Sequence, residues 1–131
     1  MEELYSMGIR DEILKSMIET NPEITELSDS DIRDKENILL NMGCSNKQVL
    51  SIIGSNPTFL SRTDERINKL IDYLGSMGFD TLNILFDSNP YILNLEAFEI
   101  DNYINNRKNN GEELDNIIDD LDSNPYLFYE M

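Results

Sequence analysis

Apolar residues recur at fixed distances before each of the chain's four prolines. One stands four positions before the proline and another stands eight positions before it. Residues four apart share one face of an α-helix, so this spacing predicts an amphipathic helix that runs up to each proline. The positions are Ile18, Ile53, Phe86 and Leu121 at four before, and Leu14, Val49, Leu82 and Ile117 at eight before. Further upstream a second apolar stripe, as in Ile67, Leu70 and Leu74, predicts another helix in each unit.

The prolines mark an internal repeat. Each follows an asparagine, and the Asn-Pro pairs are separated by 35, 33 and 35 residues, with a glycine 14, 14, 12 and 14 residues before successive prolines. The glycines are Gly8, Gly43, Gly78 and Gly111, and the prolines are Pro22, Pro57, Pro90 and Pro125. A period in the mid-thirties is typical of all-α solenoids. We therefore predict a single domain, residues 1–131, of about three and a half repeats at roughly 1–27, 28–61, 62–95 and 96–131.

Glycine and proline predict where the helices end. Glycine after the first helix adopts the left-handed conformation that closes a helix, which a residue with a Cβ adopts only at a cost. In the second repeat, Ser45 and Gln48 have capping-box spacing for the second helix. That helix must stop near the asparagine, because a proline excludes the preceding residue from the α region. We expect the asparagine side chain to cap a short turn that begins at the proline, and apolar residues such as Phe59 and Leu60 to fold back onto the core.

The succession of helix, glycine, helix and Asn-Pro-x-x-Leu resembles the repeat of the mitochondrial transcription termination factor family, mTERF. The resemblance is carried by Leu39-Leu-Asn-Met-Gly43 with Ser55-Asn-Pro-Thr-Phe-Leu60, and by Leu74-Gly-Ser-Met-Gly78 with Ser88-Asn-Pro-Tyr-Ile-Leu93. The repeat pattern alone fits a superhelix of either hand. The resemblance implies a left-handed one, with two α-helices and a short 3₁₀ turn per repeat and an inner face that often binds nucleic acid. Family members are usually longer and basic on that face, whereas this chain is short and acidic.

Acidic residues outnumber basic ones by 26 to 10, which gives a net charge of −16. Residues 71–131 carry 13 acids and only two bases, Arg107 and Lys108, so this half alone has a net charge of −11. Such a field disfavours nucleic acid and anionic membranes and favours basic partners. Apolar runs fall far short of the ~20 residues of a membrane span, and the N-terminus lacks a secretion signal. We expect a cytoplasmic protein, and the composition, poor in alanine and rich in asparagine and isoleucine, suggests an AT-rich bacterial genome.

The sequence offers little support for catalysis or metal binding. Histidine is absent, and the single cysteine, Cys44, is expected to be a small core residue. The acids around Asp119 fall in runs on what should be solvated helix faces, and their spacing does not match an EF-hand. No glycine-rich phosphate loop is present. We therefore predict no enzyme activity, no catalytic residue, no metal and no cofactor.

Two groups of residues are candidates for binding. They are Arg62, Arg66 and Lys69 in one group, and Tyr126, Phe128 and Tyr129 in the other. The basic residues are spaced to lie along one side of a helix, where they either contact an anion such as nucleic acid or pair with surrounding acids. The aromatic residues follow the last proline, and they either fold back into the core or stay exposed as an interface.

Three functions fit these observations. The leading hypothesis is a non-enzymatic binding module whose acidic surface docks a basic protein partner, or which self-associates through its terminal repeats. The second is nucleic-acid binding of the mTERF type in transcription regulation, which the resemblance implies and the net charge disfavours. The third is an acidic mimic of DNA that occupies the groove of a DNA-binding protein.

Overall fold

The computed structural model describes all residues, 1–131, and contains eight α-helices, four short 3₁₀ turns and no strand. The helices are α1 (Glu2–Ser6), α2 (Asp11–Thr20), α3 (Asp29–Asn41), α4 (Asn46–Ser55), α5 (Asp64–Met77), α6 (Leu82–Ser88), α7 (Ala97–Asn109) and α8 (Leu114–Ser123). The 3₁₀ turns are turn 1 (Pro22–Glu26), turn 2 (Pro57–Ser61), turn 3 (Pro90–Asn94) and turn 4 (Pro125–Glu130). The prediction of an all-α repeat fold is confirmed.

Like elements of successive repeats pack on one another. α1 packs on α3, α3 on α5 and α5 on α7, while α2 packs on α4 and α4 on α6. Turns 1, 2 and 3 contact one another in the same order. The protein therefore consists of three rows, made of first helices, second helices and turns. None of its helices has both the length and the apolar character needed to cross a bilayer.

The four predicted glycines adopt the left-handed conformation, with φ between 93° and 110°. Each allows the next residue to donate its backbone N–H to a carbonyl five residues earlier, as from Ile9 to Leu4 at 3.0 Å and from Cys44 to Leu39 at 3.1 Å. This bond satisfies a helix-end carbonyl that would otherwise lack a partner. The predicted capping box of Ser45 and Gln48 is also formed. Local residue chemistry thus sets the helix boundaries.

Twenty-eight buried apolar residues form one continuous core from Leu4 to Phe128. Of the eight apolar positions predicted from the prolines, six are buried, and Cys44 is buried as expected. Ile18 and Leu82 are only partly buried. Ile18 belongs to the first repeat, which has a neighbour on one side only, and Leu82 is the first residue of the short helix α6. Ile117 and Leu121 of the fourth repeat are fully buried, so the core extends to the last repeat.

The asparagines before the prolines do not cap their own turns, so that expectation was wrong. Their side chains form no capping hydrogen bond. In the first three repeats the asparagine instead donates its Nδ2 to the proline carbonyl of the next repeat. These bonds run from Asn21 to Pro57 at 3.1 Å, from Asn56 to Pro90 at 3.0 Å and from Asn89 to Pro125 at 3.1 Å. All three asparagines are buried, and a buried amide without a partner is costly, so this asparagine ladder ties each repeat to the next.

The residue four positions after each proline completes the ladder. Asn21 also donates to Ser61 Oγ at 2.6 Å. Asn56 and Asn94 exchange two amide hydrogen bonds of 3.0 Å each. The hydroxyl of Tyr129 donates to Asn89 Oδ1 at 3.0 Å. Each ladder asparagine is therefore held by both a backbone carbonyl and a side chain of the following turn.

Candidate functional site

Arg62, the first member of the predicted basic group, is turned into the protein. It lies between turn 2 and α5, and its guanidinium Nη1 donates to the backbone carbonyls of Leu93 and Leu95, the latter at 3.0 Å. Its Nη2 donates to Glu96 Oε1 at 2.8 Å, and only 9% of the side chain is exposed. Arg62 thus secures the end of turn 3.

Arg66 and Lys69, the other two members, lie on the surface of α5. Their side chains are 64% and 71% exposed. Arg66 Nε lies 3.7 Å from Glu96 Oε1, the same oxygen that binds Arg62, while Lys69 pairs with Glu65 at 3.2 Å. All three basic residues therefore have carboxylate neighbours, and two of them are reachable from solvent.

Four other cations are exposed and form no ion pair: Arg10, Lys15, Lys47 and Lys108. Two of them lie at the starts of neighbouring second helices. Arg10 is the N-cap of α2, and Lys47 lies in the first turn of α4, which packs on α2. No sequence motif singles out this pair.

A groove of about 580 Å³ runs between α2 and α4. Arg10 lines it, and Lys47 lies one helical turn before the groove residue Ser51 on α4. The lining residues are Gly8, Ile9, Arg10, Glu12, Ile13, Leu50, Ser51, Gly54 and Ser55. We call this the α2–α4 groove. It offers one guanidinium, two hydroxyls and an apolar floor against a single carboxylate.

The electrostatics of α4 follow from its sequence. Residues 37–63 contain no Asp or Glu. The N-terminus of α4 is capped by the Ser45 hydroxyl and the Gln48 amide, with no acid in its first turn. The positive end of the helix dipole is therefore not offset by a carboxylate, unlike that of α2, which begins with Asp11 and Glu12.

The last repeat has the opposite character. Arg107 donates to both carboxylate oxygens of Glu112, at 2.9 and 2.6 Å, and to Asp120 Oδ2 at 2.7 Å. Its guanidinium carbon also lies 5.6 Å from the ring centre of Tyr103. Hydrogen bonds from Arg107 lower the pKa of Glu112 and of Asp120. Because Arg107 is held in this way, Lys108 is the one unpaired cation beside the exposed acids of α8.

The predicted aromatic group divides between core and surface. Phe128 is fully buried, with its ring centre 6.3 Å from that of Phe79. Tyr126 is 63% exposed. Tyr129 exposes one side, while its other face stacks on Tyr91 with ring centres 4.7 Å apart and planes inclined by 15°. The sequence left both outcomes open, and the structure contains both.

One further cavity, of about 270 Å³, lies between α1, α3 and α4 and is lined by Glu3 and Glu36 among others. Burial, and next the neighbouring carboxyl group of Glu3, raise the pKa of Glu36. Its Oε2 is buried and has no hydrogen-bond partner. No three acidic, histidine or cysteine residues converge here or elsewhere in a way that would hold a metal ion.

The repeat geometry agrees with the comparison to known families, in which the mTERF family model matches residues 1–118. The chain belongs to the mTERF family. Membership identifies the protein as a helical-repeat module of a family associated with nucleic-acid binding, and so favours the second functional hypothesis over acidic docking of a protein partner. No curated protein sequence matches this mTERF-family chain.

Proposed function

We propose that this protein is a non-enzymatic, cytoplasmic module that binds the phosphate backbone of nucleic acid along the α2–α4 groove. The observation that carries the proposal is the placement of Arg10 and Lys47, two exposed cations without ion pairs, beside this groove. Family membership supports the ligand class. The absence of acids from residues 37–63 provides a local surface that a polyanion can approach despite the overall charge.

Three residues at the groove, Arg10, Lys47 and Ser51, contact phosphate in this proposal. The guanidinium of Arg10 can donate two hydrogen bonds to one phosphate, and the ammonium of Lys47 supplies a second charge. The hydroxyl of Ser51 lies one turn after Lys47 and can donate to the same backbone. With two or three phosphates neutralised, affinity should fall about 10- to 40-fold between about 50 and 200 mM salt.

Arg66 and Lys69 form a second contact in this proposal. Both are exposed on α5, but binding a phosphate requires each to exchange a carboxylate neighbour for it. Arg62 would have to release the carbonyls at the end of turn 3 as well, so we assign it the role of holding that turn in place. The groove should therefore contribute more affinity than the α5 pair.

A mobility-shift assay with RNA, duplex DNA and single-stranded DNA at about 50 mM salt tests the proposal, because electrostatic affinity is greatest at low salt. Arg10→Glu with Lys47→Glu should abolish the shift. Lys15→Glu with Lys108→Glu is the matched control, since it changes the net charge equally but removes unpaired cations outside the groove. Failure of the wild-type protein to shift any probe, or equal loss in the two double variants, would refute the proposal.

Docking of a basic protein partner on α8 is the second candidate function. Asp115, Asp119 and Asp122 are exposed there, and Arg107 is already occupied by Glu112 and Asp120. Such docking should be strongest at low salt. Substitution of the three aspartates by asparagine should then release any partner recovered from cytosol, and recovery unchanged by this substitution would rule out the α8 surface.

A further inference from the structure

Contacts between successive turns follow one geometry. The asparagine of one turn donates to the proline carbonyl of the next, and the residue four positions after that proline packs against the asparagine amide. Between turns 3 and 4 an aromatic stack is added. The ring of Tyr91 stacks on the ring of Tyr129. Tyr91 lies one residue after Pro90, and Tyr129 lies four residues after Pro125. Each contact therefore has a donating half on the earlier turn and a receiving half on the later one.

Turn 4 presents a donating half that no residue of this chain receives. Tyr126 follows Pro125 as Tyr91 follows Pro90, yet Tyr126 is exposed and has no stacking partner. Asn124 is only partly buried, and its Nδ2 donates to Asp120 Oδ1 at 2.9 Å within its own repeat. The groups that join turn 3 to turn 4 are thus repeated on an open surface.

Turn 1 presents the complementary receiving half. The carbonyl of Pro22 accepts from the Thr25 hydroxyl of its own turn at 3.0 Å, but it accepts no hydrogen bond from another repeat. Glu26, four positions after Pro22, is exposed. It occupies the place that Ser61, Asn94 and Tyr129 take in the later turns. Turn 1 therefore lacks only an asparagine and a ring from a preceding turn.

We propose that two copies of this chain associate head to tail, with turn 4 of one copy seated on turn 1 of the next. Asn124 then donates to the Pro22 carbonyl of the second copy, and the methylene groups of Glu26 lie against the ring of Tyr126 while its carboxylate stays in solvent. The occupant is a second copy because the two open surfaces are the two halves of a contact that the chain already makes three times. Such a contact is heterologous, because it joins two different surfaces of the chain. It therefore adds further copies beyond a dimer, unless the rotation between successive copies closes them into a ring.

Charge opposes this association at low salt. Asp119 and Asp122 are exposed on α8 beside turn 4, and Glu23 and Glu26 are exposed on turn 1. Screening should therefore strengthen self-association. Nucleic-acid binding has the opposite salt dependence, so the two proposals succeed or fail separately.

Light scattering on the full chain, over a protein concentration series at about 20 and 500 mM NaCl, measures the association. We expect the mean mass to rise with salt and, at high protein concentration, to exceed that of a dimer. Tyr126→Ala should weaken association about tenfold, because it removes the apolar contact area of one ring from the interface. Phe98→Ala is the matched control, because Phe98 is 64% exposed on α7, outside the row of turns.

A gain-of-function variant tests the receiving half. Glu26→Tyr places at turn 1 the residue that stacks in turn 4, so it should strengthen association more than Glu26→Gln, which removes only the charge. Equal effects of Glu26→Tyr and Glu26→Gln on association would show that a ring at position 26 adds nothing beyond the loss of charge. This result would contradict stacking of that ring on Tyr126. A wild-type protein that remains monomeric at every salt and protein concentration would overturn the proposal.

Disulfide trapping then tests the head-to-tail orientation. Tyr126→Cys and Glu26→Cys proteins, mixed and oxidised, should form mostly the mixed disulfide dimer, while the buried native Cys44 serves as an unreactive background. Predominant pairing of Tyr126→Cys with itself would instead indicate a two-fold symmetric interface and would refute the head-to-tail arrangement.

Discussion

The second and fourth repeats share one pattern of helices and turns but use their polar residues differently. In the second, Asn56 bonds to Pro90 and Asn94 of the next repeat, and α4 carries no acid. In the fourth, Asn124 bonds to Asp120 and Arg107 bonds to Glu112 and Asp120, so these bonds close within one repeat. Asn56 in the middle of the stack holds two neighbouring repeats together, whereas Asn124 and Arg107 of the last repeat stabilise local structure and leave most of its acidic charge on the surface.

The largest expected difference between the two regions concerns the core. Ile53 on α4 is fully buried, and Ile53→Ala should cost about 2–5 kcal/mol because it leaves a cavity among packed side chains. Glu113→Ala, at an exposed position before α8, should change stability by less than about 0.5 kcal/mol. Urea unfolding measures both. A loss below about 1 kcal/mol for Ile53→Ala would show that the repeats pack more loosely than described.

The next largest effect concerns the asparagine ladder. Asn56→Ala leaves the Pro90 carbonyl and the Asn94 amide without a partner in a partly buried setting, and should cost about 1–3 kcal/mol. Asn124→Ala removes a bond that closes within the last repeat near the surface, and should cost less than about 1 kcal/mol. Chemical denaturation of the two variants gives the comparison directly. Equal costs would mean that bonds between repeats add nothing beyond local ones.

A third difference lies in pH dependence. Arg107 lowers the pKa of Glu112 and of Asp120, so the stability that these carboxylates contribute is present above their unfolded-state pKa and is lost as pH falls through the folded-state pKa. Arg107→Gln should therefore be less stable than the wild type at pH 7, and the gap should shrink as pH is lowered toward about 3. Thermal melts across this range measure the gap.

Asn56→Ala is the control for this pH series. The groups that Asn56 contacts, the Pro90 carbonyl and the Asn94 amide, do not titrate, so the cost of Asn56→Ala should stay constant over the same range. A gap between Arg107→Gln and the wild type that is equally constant would show that the charges of Glu112 and Asp120 do not contribute to stability.

The fold could be predicted from sequence because its boundaries are set locally. A left-handed glycine and an Asn-Pro pair end helices through their own backbone chemistry, wherever the repeat lies in the stack. The partner of each asparagine could not be predicted in this way. Asn56 reaches Pro90, 34 residues away, only because turn 2 packs on turn 3.

The candidate site was less predictable. The spacing of Arg62, Arg66 and Lys69 assumes that all three are helical, but α5 begins at Asp64 and Arg62 has extended backbone, which directs its side chain to turn 3. Arg10 and Lys47 were missed because they are distant in sequence and belong to one surface only through the packing of α2 on α4. One signal could have revealed them. Arg10 lies two residues after the left-handed Gly8, at the start of α2. Lys47 lies four residues after the left-handed Gly43, at the start of α4.

The smallest expected effect is that of salt on thermal stability. Residues 71–131 have a net charge of −11, against −5 for residues 1–70, so screening should relieve more repulsion near the last repeat than in the first. The melting temperature should rise by a few degrees between about 20 and 300 mM NaCl. Replacing Asp115, Asp119 and Asp122 by asparagine should remove more of this rise than replacing Glu12, Glu19 and Glu23 by glutamine. A melting temperature that stays constant or falls with added salt would show that repulsion among these acids does not limit stability, and that the contrast between the two repeats rests on hydrogen bonding and packing alone.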